Sequence, residues 1–280
     1  MSEIILSAFA DEYATSFDGQ LIGMADFGIG FIELRQIDGK NVSKLTLSEA
    51  KEVKRKLDAF GIRASAIGSP LGKIALDGDM KKHLEDAERV FEIAALTEAR
   101  FVRVFSFYAP EGENIHDRFD DVTKALSDMT ALARGYGVTL CHENEAKIYG
   151  DTPERCRELL DALDGELKCV FDMGNFVLEN VRPYPDAYEL LKRDIAYFHI
   201  KDALFEGAVV PPGKGNASIG EILAVHRKYA SEDFFVSLEP HLQTFSGLNA
   251  LVGRSFDNPY KYADQESAFA DAVKKFKELI

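Results

Sequence analysis

A chain of 280 residues with 47 acidic and 33 basic side chains, net −14, has the length for one large α/β domain or two small ones. Such a charge repels polyanions, and no basic patch overrides it, so a nucleic-acid partner is not expected. Three cysteines (Cys141, Cys156, Cys169) without CxxC spacing, an opening apolar run too short for a signal peptide and no bilayer-length apolar stretch point to a reduced, cytoplasmic protein without a membrane partner.

Along the chain one unit recurs: a short apolar strand, a turn, then an amphipathic helix. The first strand, at 3–8, leads into FADEYATSF, which lacks the glycine of a doubly wound sheet's phosphate-binding turn. The second, at 31–35, carries Glu33 and Arg35, which can form a buried pair with inward groups such as Arg103 or reach a substrate. Over 47–60 the stripe Ala50, Val53, Leu57 and Phe60 predicts a helix, with Thr46 and Glu49 at capping-box spacing and Gly61 as the C-terminal stop. Strands at 62–67 and 101–106 follow, and Phe9, Phe105, Phe107 and Tyr108 near strand ends suit the core or an apolar pocket wall. The fifth strand, 138–142, stops beside Glu143. A helix over 151–164 starts at Thr152-Pro153-Glu154 and stops at Gly165. Strands at 168–172, 196–200 and 234–238 complete the series. Eight such units match a (β/α)8 TIM barrel of roughly 250 residues, so one barrel domain is expected over 1–280.

Glu143, Asp172, His199 and Glu239 each close a predicted strand, in VTLCHE, LKCVFD, IAYFH and FFVSLE. In a closed parallel barrel those ends share one face, so three carboxylates and an imidazole are expected to hold one divalent metal ion. Hard oxygens with one imidazole favour Mn²⁺, Mg²⁺ or Co²⁺ over zinc. Cys141 is expected to fill the barrel rather than bind metal. Lys201 shares the inward parity of His199 and can meet a substrate oxygen or a neighbouring carboxylate; Asp202 reads as a capping group, and His241 lies two residues beyond Glu239. The Gly213-Lys214-Gly215 segment, without a following Ser or Thr, is no Walker motif and reads as a flexible turn on the active face. The long segments 203–217 and 240–263 follow the last two strands; the second, with Gly247 and Gly253, suits a lid or a homodimer contact.

The pieces HENE and YGDTPE (142–145, 149–154), FDMGNF (171–176), HIKDA (199–203), PPGKGNASI (211–219) and SLEPHL (237–242) resemble, in order, the sugar isomerase/epimerase superfamily of xylose-isomerase-like TIM barrels. The resemblance implies one metal on Glu143, Asp172, His199 and Glu239, with Glu143 and Glu239 also acting as the acid–base pair on a small carbohydrate. Proton transfer beside a carbonyl through an enediolate needs such a pair and a Lewis acid. Many relatives carry histidine where Asn175 stands; an amide can hold a substrate hydroxyl but is a poor ligand, which also argues against the metal-rich endonuclease branch. Asn175, Lys201 and His241 are the expected substrate contacts. An inosose-type dehydratase on the same site and a non-catalytic sugar-binding protein are the alternatives.

Overall fold

The computed structural model describes residues 2–242 and 260–280. Its centre is an eight-stranded parallel sheet: β1 (Ile4–Ala8), β2 (Phe31–Leu34), β3 (Arg63–Ile67), β4 (Phe101–Val104), β5 (Thr139–Glu143), β6 (Leu167–Asp172), β7 (Ile195–Ile200) and β8 (Phe234–Leu238). Each strand from β2 to β7 pairs with its successor in sequence, and β8 returns to β1 with Ser7 opposite Ser237. β1 and β2 then stand side by side without a ladder between them, so the ring is nearly closed: a TIM barrel. The strands fall within one or two residues of the sequence expectation.

Among the described residues the α-helices are α1 (Phe17–Phe27), α2 (Leu47–Phe60), α3 (Met80–Thr97), α4 (Phe119–Arg134), α5 (Pro153–Ala162), α6 (Met173–Leu178), α7 (Tyr188–Leu191), α8 (Ile219–Tyr229) and α9 (Gln265–Lys277). α2 starts as its sequence dictates: the Thr46 hydroxyl accepts the Glu49 amide, the Glu49 carboxylate accepts the Thr46 amide, and Gly61 ends the helix in the left-handed region. Ala50, Val53 and Leu57 are buried beneath it, whereas Phe60, the last helical residue, is 41% exposed. None of the described helices is long and apolar enough to cross a membrane.

Strand periodicity divides the core in two. Outward residues such as Ile32, Val102, Leu140, Phe171, Phe198 and Val236 join the helices in the main core. Inward residues Ala66, Phe101, Cys141, Val170 and Tyr197 form a separate plug in the lower barrel. There Phe101 stacks on Tyr197 with ring centroids 5.5 Å apart, and Phe31 meets Phe235 edge-on at 4.9 Å. Cys141 is thus the small filler its sequence position suggested.

The segment after β7 corrects the reading of a flexible turn at Gly213-Lys214-Gly215. Asp202–Ala203 pairs with Val209–Val210 in a hairpin, and the Asp202 carboxylate accepts four backbone amides, from Ala203, Gly213, Gly215 and Ala217, at 2.8–3.1 Å. A Cβ at Gly215 would stand 2.3 Å from Asp202 Oδ1, so only glycine lets the backbone come this close. Most of the expected lid at 240–263, including Gly247 and Gly253, lies outside the described residues.

Candidate metal centre

Two residues above the apolar plug, the same strands turn charged. Glu143 closes β5, Asp172 closes β6, His199 is the fifth residue of β7, and Glu239 directly follows β8. All four are buried, and each offers a ligand atom within 4.8 Å of the others. His199 Nδ1 is 3.0 Å from Glu143 Oε1, 3.4 Å from Glu239 Oε2 and 3.9 Å from Asp172 Oδ2. Ligands about 2.1 Å from a shared octahedral ion stand about 3 Å apart when adjacent and about 4.2 Å when opposite. The edges fit that geometry, and the oxygen-rich donors fit a hard or borderline cation.

Local hydrogen bonds fix these strand ends. Asn144 clamps Asp172, donating to its carbonyl at 2.9 Å and accepting its amide at 3.0 Å. Asp172 also caps α6, its Oδ1 accepting the Asn175 amide at 2.8 Å, which leaves Oδ2 facing the centre. A Cβ on Gly174 would lie 2.6 Å from Lys201 Cγ, so glycine there leaves room for the lysine stem.

Three buried cations balance the carboxylates. Lys201 Nζ lies 2.8 Å from Asp172 Oδ2 and 3.0 Å from Glu239 Oε2. Arg103 Nη1 lies 3.1 Å from Glu143 Oε2 and 3.7 Å from Glu239 Oε1. Arg35 joins Asp11 at 2.8 Å, Glu12 at 3.2 Å and Glu239 at 2.8 Å. Phe9 lies beneath both guanidinium groups and meets the His199 ring edge-on at 5.1 Å.

The electrostatics separate the acids. Burial alone would raise Glu143, but the charges of His199 and Arg103 outweigh it and bring the carboxyl down to about 2. Glu239 is likewise held well below its ordinary value, burial being overcome by Lys201 and His241. Asp172 goes the other way, to about 7, because burial and the neighbouring Glu143 and Glu239 exceed the pull of Lys201. His199 is raised well above its ordinary value, since Glu143 and Glu33 overcome the cost of burial. Two carboxylates are thus kept ionised beside a third that takes a proton more readily.

The four expected metal ligands are together. Of the expected substrate contacts, Asn175 donates to the Asn144 carbonyl at 2.9 Å and Glu143 Oε1 at 3.3 Å while accepting from Lys201 at 3.1 Å; its amide holds other site residues. Lys201 meets neighbouring carboxylates, one of its two expected roles. His241 Nε2 lies 3.3 Å from Glu12 and 3.4 Å from Glu239, and burial lowers its pKa to about 4. Glu12, Glu239 and His241 make a second cluster of donor atoms, but Arg35 already supplies positive charge to two of them. Sequence reading missed Asp11, Glu12 and Asn144. The usable signal for the first two was a glycine-free turn, FADEY, placing two acids directly above β1.

A family model described as Xylose isomerase-like TIM barrel matches residues 23–273, and the chain belongs to that family. Comparison with curated proteins by sequence gave no match. Among solved structures, the probable 3-DHS dehydratase AsbF of Bacillus anthracis is similar at a TM-score of 0.73 and 19% identity, over 99% of each chain. D-Psicose 3-epimerase of Clostridium cellulolyticum H10, solved with D-tagatose, has a TM-score of 0.73 at 14% identity, over 98% of this chain and 97% of that one. The IOLI protein with a bound zinc atom has a TM-score of 0.70 at 17% identity, over 99% and 97%. At these identities the likeness is one of fold.

Proposed function

We propose that this member of the xylose isomerase-like family isomerises or epimerises a small sugar or sugar-like hydroxyketone, with Glu143 and Glu239 as the proton-transferring pair. The observation that carries the reading is the convergence of Glu143, Asp172, His199 and Glu239 at ligand spacing on the face where barrel enzymes place their chemistry. These four would hold one divalent ion, with Mn²⁺, Mg²⁺ or Co²⁺ favoured by the oxygen-rich set, although the IOLI relative carries zinc. When bound, the ion supplies a Lewis acid for the carbonyl and adjacent hydroxyl oxygens of the substrate.

The protein's part is orientation and proton movement. Arg103 contacts both Glu143 and Glu239, fixing one oxygen of each. One ionised carboxylate removes the proton beside the carbonyl, and the other, once protonated, delivers a proton to the resulting enediolate. Delivery to the opposite face inverts a stereocentre; delivery to the neighbouring carbon moves the carbonyl. Lys201, its ammonium 3.0 Å from Glu239 Oε2, orients that carboxylate and stabilises its ionised form, the state that accepts the proton. Lys201 and His241 flank Glu239 and are the groups we assign to substrate oxygens. Asn175 holds Glu143 and Lys201 in position.

The same ammonium supports a second reading, a dehydratase, in which Lys201 protonates a departing β-hydroxyl after the first proton is taken. The likeness to a probable dehydratase points the same way. Incubation in D₂O with a panel of ketoses and inososes separates the two. Isomerase or epimerase action places deuterium beside the carbonyl, whereas dehydration releases a product lighter by one water. Glu239→Gln is expected to suppress interconversion, because an amide cannot accept the proton. Neither exchange nor water loss across the panel would overturn both readings and favour a sugar-binding protein.

A further inference from the structure

We propose that Glu33 is a positioning residue for the metal centre: it takes the Nε2–H of His199 and so presents Nδ1 as the ligand atom. This deepens the metal-centre reading above and rests on it. Glu33 lies inside the barrel on β2, three places around the ring from β7. Its Oε2 is 3.1 Å from His199 Nε2, while Oε1 accepts the Tyr197 hydroxyl at 3.0 Å. Both Glu33 and His199 have fully buried side chains.

The ring of His199 stands between two sets of acids. Nε2 faces Glu33, and Nδ1 faces Glu143, Glu239 and Asp172. A buried carboxylate needs donors, and on this side the donors are Tyr197 and the imidazole. The imidazole can satisfy Glu33 only with a proton on Nε2, so that when the ring is neutral, as a metal ligand must be, its lone pair is on Nδ1. In metal sites such an outer carboxylate commonly fixes the tautomer and the ring plane of a ligating histidine. Phe9 and Tyr197, both edge-on to the ring at 5.1 and 5.5 Å, restrict its rotation.

The sequence suggested a plainer role, a barrel ion pair between Glu33 and an arginine such as Arg103. The geometry gives Arg103 to Glu143 and Glu239. The hydrogen bonds of Glu33 go to Tyr197 and His199. Glu33 lies on the far side of the imidazole from the three other carboxylates, so it acts on the centre through His199.

The test uses the full chain, Zn²⁺ as a diamagnetic probe, competition with a chromophoric chelator for affinity, and ¹⁵N NMR of ring-labelled histidine. His199 resonances are identified by their loss in His199→Asn. In the Zn²⁺-loaded wild type, His199 should show a protonated Nε2 and a metal-bound Nδ1. Glu33→Leu, similar in volume but without an acceptor, should weaken Zn²⁺ binding by about 10–100-fold and lose that single tautomer. Glu33→Gln keeps a carbonyl acceptor and should restore the tautomer and most of the affinity. Tyr197→Phe, which removes one donor to Glu33, should give a smaller loss of the same sign. An unprotonated Nε2 in the loaded wild type overturns the inference, and so does wild-type affinity with Nδ1 ligation in Glu33→Leu. A wild-type chain that binds no Zn²⁺ overturns the metal-centre reading, and this inference with it.

Discussion

The lower and upper halves of the barrel interior are built by the same strands in the same inward parity, yet share almost no chemistry. On β5 the inward residues run from Cys141 to Glu143, on β6 from Val170 to Asp172, on β7 from Tyr197 to His199, and on β4 from Phe101 to Arg103. A step of two residues, about 6.6 Å, separates an aromatic and aliphatic plug from a cluster of buried charges. The lower half gains from burial of apolar surface. The upper half is held by mutual compensation of carboxylates and cations, an arrangement that contributes little net stability but fixes geometry. Damage below should therefore cost folding, and damage above should cost ligand binding.

The largest contrast is expected from Asp172→Asn or His199→Ala. Either should abolish stoichiometric metal and lower turnover by roughly 10³-fold or more, on the order of 4 kcal/mol. Far-UV circular dichroism should still report a folded barrel, and metal analysis of the purified variants checks the loss. Full metal occupancy in both would remove the upper half from the chemistry. Phe101→Ala should do the reverse: about 3–5 kcal/mol of stability lost in urea titration, with metal stoichiometry unchanged in the protein that remains folded.

The outer helical layer allows a finer comparison. His226 on α8 is buried against Phe198 and Phe234, with ring centroids at 4.8 and 4.6 Å, and its Nδ1 lies 3.1 Å from the Tyr188 hydroxyl. Burial lowers its pKa from 6.5 to about 4. Between those values the unfolded chain holds a proton that the folded chain does not, so stability falls as the pH is lowered through that window and is unaffected by this group above it. At pH 5 the penalty is on the order of 2 kcal/mol. In His226→Phe, the difference in stability between pH 7 and pH 5 should shrink by about that amount; an unchanged difference would assign the acid sensitivity elsewhere. The smallest effect is expected from Thr46→Ala, about 1 kcal/mol from the lost α2 cap, with metal binding untouched.

What was legible in the sequence follows the same division. Strand positions, the α2 cap and the four candidate ligands were readable because each depends on local spacing: alternation along a strand, a capping box, an acid or imidazole where an apolar run stops. The partners of those ligands were not. Arg35 finds Asp11 and Glu12 across the whole of α1, 24 and 23 residues away, and Glu239 at a separation of 204. Glu33 finds His199 at a separation of 166 residues. Such pairings depend on which strands face each other inside the ring, and period-2 alternation fixes direction without fixing partner. The segment at 213–215 was misread for a related reason. Two glycines and a lysine look mobile, until the carboxylate of Asp202 is seen to collect the amides around them.

The ring's seam carries a consequence for how the molecule opens. β1 and β2 meet without a ladder, yet just above them Arg35, at the end of β2, grips Asp11 and Glu12 beyond β1 and Glu239 beyond β8. The join there is made by a side chain rather than by backbone. Amide hydrogens of β1 and β2 that face the seam should exchange with solvent faster than those of the fully laddered β5, β6 and β7, and replacing Arg35 should speed that exchange first.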